Sequence, residues 1–181
     1  MEKERGIMNL DIRIANINDI NSIYKIDDEI FNSESYFIST LEEWYAEDKN
    51  KYKENLLTKI CDPQSQFLVA TMNNVVIGYI VAYRSNRMRI QHNRSITMGL
   101  TSHSRGKGIG KQLLKEIISW AINNDSVENL CLGVLSTNIN AIKLYQSCGF
   151  IEEGRFVDEY KFGEYYVDDI YMKLNVKKRR M

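Results

Sequence analysis

The chain has 181 residues, enough for one domain with a sizeable buried core. Lys and Arg together number 24, as do Asp and Glu, so the formal net charge is zero and no bulk attraction to nucleic acid is expected. The longest apolar run, "VVIGYIVAY" (75–83), is too short to span a bilayer, and the charged start "MEKERGIMNL" lacks a signal-peptide core, so no membrane partner is expected.

In chain order, "LDIRIA" (10–15) alternates and predicts a first strand. "INDINSIYKIDDEIF" (17–31) predicts a helix with Ile20, Ile23, Tyr24 and Phe31 on one face and Asn16 or Asn18 as its cap. The stretch 33–60 is helix-like and rich in charge. "SQFLVATM" (65–72) and "VVIGYIVAYR" (75–84) read as strands joined by a tight turn at Asn73-Asn74, a pair that tolerates positive φ. "RIQHNRSITMGLT" (89–101) is a further strand. Next comes "IGKQLLKEIISWAINN" (109–124), an amphipathic helix with Ile109, Leu113, Leu114, Ile117, Ile118 and Ala121 at helical spacing. "NLCLGVLS" (129–136) is a nearly continuous apolar run, as a strand buried on both faces requires. "INAIKLYQSCGF" (139–150) reads as a helix stopped by Gly149. The segment 152–176 predicts two strands turning at Phe162 and Gly163.

The expected fold class is therefore α/β (α+β), a mixed sheet of about seven strands with about four helices. One domain is expected over 1–181, with its core at about 10–174 and a solvated basic end, "KKRRM" (177–181). Cys61, Cys131 and Cys148 are odd in number and form no CxxC pair, and there are two histidines. No metal site is expected, and the cysteines read as small apolar residues of a cytoplasmic protein.

"SRGKGIGKQLL" (104–114) concentrates glycine and positive charge where a helix begins. A nucleotide-binding P-loop would need glycine at Arg105 and Ser or Thr at Gln112, and the dinucleotide fingerprint would need glycine at Lys111. Both fail on spacing. A strand, a glycine turn and a helix N-terminus still make an anion site, because the first N–H groups of a helix have no internal partner.

Two motifs then resemble the GCN5-related N-acetyltransferase (GNAT) superfamily. Arg105-Gly106-Lys107-Gly108-Ile109-Gly110 matches its pyrophosphate motif R/Q-x-x-G-x-G/A, and "NINAIKLYQSCGF" (138–150) resembles N-x-x-A-x-x-L-Y-x-x-x-G-F. The ending "GEYYVDDIYMKL" (163–174) is similar to a bacterial and archaeal subgroup of amino-acid or protein acetyltransferases. The resemblance implies acetyl-CoA as donor and a primary amine, on a small molecule or a peptide, as acceptor. The CoA pyrophosphate would rest on Arg105 and on the N–H groups of Gly106, Lys107, Gly108, Ile109, Gly110 and Lys111. Met98, Gly99, Leu100 and Thr101 would hold the pantetheine arm, where this strand and 129–136 splay apart. Asn138 and Ala141 would complete the donor site, and Tyr145 would protonate the leaving thiolate. An oxyanion donor would come from the backbone near Leu100.

The strand before the loop carries no Asp or Glu, so His92 is the candidate base on it; Asp168, Asp169 and a water relay are the alternatives. The acceptor would meet Glu29, Phe31, Tyr36 and Trp44 on one side and Tyr165 and Tyr166 on the other. The resemblance also implies that a homodimer is common among relatives. A non-catalytic CoA-sensing module, or an acyltransferase for a longer acyl group, are the other functions open to such a chain.

Overall fold

A computed structural model describes residues 10–33 and 38–177. Its frame is one seven-stranded sheet in the order β1-β2-β3-β4-β5-β7-β6. The strands are β1 (Leu10–Ile14), β2 (Gln66–Met72), β3 (Val75–Arg84), β4 (Asn93–Leu100), β5 (Asn129–Leu135), β6 (Ile151–Phe162) and β7 (Tyr165–Asn175). All neighbours pair antiparallel except β4 and β5. The helices are α1 (Ile20–Asn32), α2 (Leu41–Ala46), α3 (Lys49–Cys61), α4 (Ile109–Asn123) and α5 (Ile139–Ser147).

Five α-helices replace the expected four because the charged stretch 33–60 holds two caps. Thr40 and Glu43 form a reciprocal capping box for α2, and Asp48 accepts from Asn50 N at the start of α3. Glu47 and Asp48 are extended, so the helix cannot run through them. The helix expected from residue 17 opens with a 3-10 turn, Ile17–Asp19, capped by Asn16. The strand expected from residue 89 begins at Asn93, after a separate turn at Met88–Ile90. Asn73 and Asn74 both take positive φ, 50° and 65°, as the tight hairpin requires.

Alternation in the strands splits the core into two layers. Leu68, Ile80, Ile96, Leu132 and Met172 pack beneath α4 and α5. Phe67, Val69, Tyr79 and Val81 pack beneath α1 and α3. Among the described residues no helix is long and apolar enough to cross a membrane.

The parallel pair decides where ligands can enter. β4 and β5 pair only at Asn93–Asn129, Arg94–Leu130 and Ser95–Cys131, then separate. That closed end is locked by side chains. Asn129 Nδ2 donates to Asn93 Oδ1 at 2.8 Å, and Asn175 Nδ2 donates to Asn129 Oδ1 at 3.1 Å. The buried Arg94 guanidinium bonds Gln64 O at 3.0 Å and Ser126 Oγ at 2.8 Å. Beyond Ser95, β4 keeps β3 as its partner while β5 stays with β7 along its whole length. Leu114 is fully buried on the α4 side of this sheet. Leu114→Ala should therefore lower unfolding free energy by about 2–5 kcal/mol in denaturant titration; a loss within about 0.5 kcal/mol, typical of a surface site, would contradict this packing.

Candidate active site

The gap between β4 and β5 opens into a cleft of about 890 Å³. The segment linking β4 to α4 forms one end. Gly106 and Gly108 take φ of 71° and 79°, backbone that L side chains rarely adopt. Gly108 is the N-cap of α4 and has no side chain to accept from the first turn. The helix N-terminus is thus open to an anion, with the positive end of its dipole aimed outward. Arg105 and Lys111 line the same end. Gly110 plays a different part: a Cβ there would lie 3.3 Å from both Leu100 Cδ1 and Leu144 Cδ2, so it lets α4 approach β4 and α5 closely.

Of the expected donor positions, Met98, Gly99, Leu100, Arg105, Gly106, Gly108, Ile109, Gly110, Lys111, Asn138, Ala141 and Tyr145 line the cleft. Thr101 and Lys107 do not. Thr101 is turned into the fold, its N–H on Ile77 O at 3.0 Å and its hydroxyl 2.7 Å from Ser104 Oγ. That bond faces Thr101 toward β3, so strand alternation turns the N–H groups of Met98 and Leu100 toward the unpaired side. Arg105 Nε reaches back to Leu100 O at 3.2 Å. Asn138 caps α5, its Oδ1 accepting from Ala141 N at 3.2 Å.

Tyr145 is buried against Phe150, with ring centroids 5.7 Å apart. Its hydroxyl has no hydrogen-bond partner among the described residues, and Tyr145 lines the cleft. Burial pushes that hydroxyl up to about 12, so it holds its proton at neutral pH.

The expected bases separate clearly. His92 is not brought to the cleft. It precedes β4 at the closed end, where its carbonyl accepts from Glu128 N at 2.8 Å. Leu100 lies eight residues on, about 26 Å away at about 3.3 Å per residue. Asp168 is taken up by Arg155, at 2.8 Å, and by Asp158 N, at 3.0 Å, which hold it below the usual carboxylate range. Asp169 lines the cleft. Its Oδ1 lies 3.1 Å from where a Cβ on Gly133 would be, so the glycine in β5 makes room for it. Burial and the neighbouring Glu159 raise its pKa, against the opposing pull of the Val134 N–H and the Tyr160 hydroxyl.

The expected acceptor residues are mostly elsewhere. Glu29 Oε1 accepts from Ser102 N at 2.7 Å, a structural tie from α1 to the end of β4. Phe31 stacks on Trp44 at 4.2 Å, and Trp44 Nε1 bonds Asp28 at 2.9 Å. Tyr166 is 55% exposed near the hairpin tip beside Lys161, and Tyr165 stacks on Phe162. Tyr36 lies outside the described residues. The cleft wall on this side is instead Ile30, Ile38, Thr97, Tyr160 and Asp169.

One group escaped the sequence reading. Asp27 of α1 is only 6% exposed, on the same stripe as Ile23, Ile26 and Ile30. Tyr79 Oη donates to its Oδ1 at 2.6 Å, and Tyr52 Oη donates to its Oδ2. An acidic residue on the apolar stripe of a helix was the available signal. Among the described residues, no group of three or more His, Cys, Asp or Glu side chains could hold a metal ion.

A model of the acetyltransferase (GNAT) family matches residues 20–150. The chain is 23% identical to a spermidine N(1)-acetyltransferase of Vibrio cholerae, over 88% of each chain. It is 29% identical to an L-amino acid N-acetyltransferase of Escherichia coli, over 61% of this chain and 68% of that protein. A GNAT superfamily phosphinothricin acetyltransferase of Sinorhizobium meliloti, solved in complex with acetyl-CoA, shares the fold. Its TM-score is 0.78 at 23% identity, covering 93% of this chain and 89% of that one.

Burial raises Asp27 to about 6, its two tyrosine donors only partly offsetting the desolvation. Its unfolded value is near the ordinary carboxylate value, so the folded protein favours the proton. This contribution is fully present below about pH 4 and is lost as pH rises through about 6. Asp27→Asn should remove that slope from the pH dependence of unfolding free energy; an unaltered slope between those limits would assign it to other groups.

Proposed function

This chain belongs to the acetyltransferase (GNAT) family and is an acetyl-CoA-dependent N-acetyltransferase; from that premise we propose that it acetylates a primary amine carried on an apolar chain. The observation that carries this reading is one cleft with an anion site at one end, a proton-holding Tyr145 inside, and the raised carboxylate of Asp169 on the opposite wall.

The donor fits the residues present. The open first turn of α4, with Arg105 and Lys111, suits a diphosphate. The outward N–H groups of Met98 and Leu100 suit an amide-bearing arm lying along β4 as a strand would. When bound, acetyl-CoA supplies an activated acyl group on sulfur. The remaining tasks fall to the chain. Asp169 takes a proton from the acceptor ammonium, and its raised pKa brings it closer to working pH. The free N–H groups of β4 are the donors available to a carbonyl oxygen that gains charge. As the N–C bond forms and the C–S bond breaks, Tyr145 gives its proton to the sulfur. Two protons leave the acceptor nitrogen in all. One is released through Asp169, and the other replaces the proton that Tyr145 gave up.

The acceptor wall favours a cation with hydrocarbon behind it. Asp169 and nearby Glu159 supply negative charge, and Ile30 and Ile38 supply apolar surface. Among the described residues, the cations lining the cleft are Arg105 and Lys111, both in the donor loop. The carboxylate of an amino acid would therefore meet Asp169. Of the relatives' printed activities, spermidine acetylation matches this wall better than amino-acid acetylation. The unpaired cysteines suit a reducing compartment such as the cytoplasm.

Acetyl-CoA at about 100 times its Kd should stabilise the protein by about 2.7 kcal/mol in thermal melts; no shift at millimolar concentration would defeat the donor assignment. Tyr145→Phe should lower kcat by about 10²–10⁴-fold and leave donor Kd unchanged, whereas an unchanged kcat would remove Tyr145 from the chemistry. In a thiol-release panel, an alkyl diamine should exceed any amino acid in kcat/KM by at least about tenfold, and Asp169→Asn should erase most of that advantage. A preference for amino acids would reverse the acceptor class.

A further inference from the structure

Asp27 has no part in the chemistry above, yet it lies against the strand on which that chemistry depends. Gly99 is the residue of β4 that pairs with Tyr79 of β3. A Cβ at position 99 would lie 2.6 Å from Tyr79 Cε1 and 3.3 Å from Asp27 Oδ1. The strand thus rests directly on the Tyr79 ring and the Asp27 carboxylate, and Gly99 itself lines the cleft with its neighbours Met98 and Leu100. Among the described residues, the groups facing Asp27 are Tyr52 and Lys59 from α3, Tyr79 from β3, and the bare backbone of Gly99.

This part of β4 needs such support. From Ile96 onward it has lost β5, so among the described residues one side of the strand has no strand partner. Helix α1 compensates from below at two points. Asp27 holds Tyr79 beneath Gly99, and Glu29 takes Ser102 N–H at 2.7 Å just past the strand end. A buried carboxylate is a poor source of net stability, since desolvation opposes the hydrogen bonds it accepts. Its value lies in direction: a carboxylate oxygen 2.6 Å from a phenol fixes where the ring stands.

We propose that Asp27 and Tyr79 are positioning residues for acyl transfer, locking the unpaired half of β4 so that its open N–H groups meet the reacting carbonyl in register. This rests on the reading that β4 holds the donor's arm. Misplacement of reacting groups by about 1 Å can cost about 10²-fold in rate, so small movements of this strand should appear in kcat.

The network contains its own control. Tyr52 donates to the same carboxylate as Tyr79. Yet it is Tyr79, not Tyr52, that lies among the nearest atoms to Gly99. Kinetics and melting of Tyr79→Phe, Tyr52→Phe and Asp27→Asn separate the two roles. Tyr79→Phe and Asp27→Asn should lower kcat by at least about tenfold at saturating donor and amine, with CoA Kd held within about twofold. Tyr52→Phe should lower the melting temperature comparably but keep kcat within about twofold. Equal kcat in wild type and both tyrosine variants would overturn the proposal, as would equal losses in the two. If Tyr79→Phe does not fold, Asp27→Asn takes its place beside Tyr52→Phe: a kcat loss confined to Asp27→Asn supports the proposal, and equal kcat in the two overturns it. Failure of the functional reading looks different: the wild type itself would show no CoA-dependent stabilisation and no turnover of any amine.

Discussion

The separation of β4 from β5 is the constraint on which the rest of this molecule depends. Two parallel strands in the middle of a sheet would ordinarily satisfy each other's backbone along their length. Here they pair over three residues and stop. Everything at the closed end resists separation: the Asn93–Asn129–Asn175 ladder and the buried Arg94. Everything at the open end maintains it. β5 is committed to β7 and β4 is committed to β3. The unpaired N–H groups that result are not a defect. They are binding capacity, available to a ligand that can behave as a strand.

A neutral chain achieves strong local polarity inside this gap. The cations Arg105 and Lys111 stand at the N-terminus of α4, where the helix dipole adds to them. Asp169, with Glu159 nearby, stands on the far wall. Charges of opposite sign therefore line one cleft. Tyr145 lies within it, and burial keeps it protonated. Three glycines serve this arrangement by what they leave out. Gly133 admits the Asp169 carboxylate, Gly99 admits the Tyr79 ring, and Gly110 admits close packing by Leu100 and Leu144.

The residues that form the α4 end of the cleft were legible in the sequence because they are local. The loop 105–110 and the motif 138–150 each lie within a dozen or so consecutive residues, and glycine at 106 and 108 permits the positive φ that the structure shows there. The other wall of the cleft was not legible, because Ile30, Ile38, Thr97, Tyr160 and Asp169 come together there from segments distant in sequence. His92 looked suitable for its intrinsic pKa, but an extended strand carries it far from the site. Glu29 looked like a substrate contact; in the structure its Oε1 accepts from Ser102 N–H, tying α1 to the end of β4. Asp168 and Asp169 are adjacent and chemically identical. Strand alternation sends one to Arg155 and the other into the cleft.

By itself, the sequence determined most of the order of elements, the turn at Asn73 and Asn74, and a glycine-rich turn leading from a strand into a helix. These depend on hydrophobic period, cap chemistry and glycine content, all of which act over a few residues. Only the tertiary structure decided which carboxylate lines the cleft, which residues form its far wall, and that Asp27 lies against Gly99 of β4. Those outcomes depend on which side chains converge across strands distant in sequence, and on how much water is left around them. Burial raises Asp27 and Asp169, while Arg155 and neighbouring backbone lower Asp168. No property of a lone aspartate in the chain distinguishes the three.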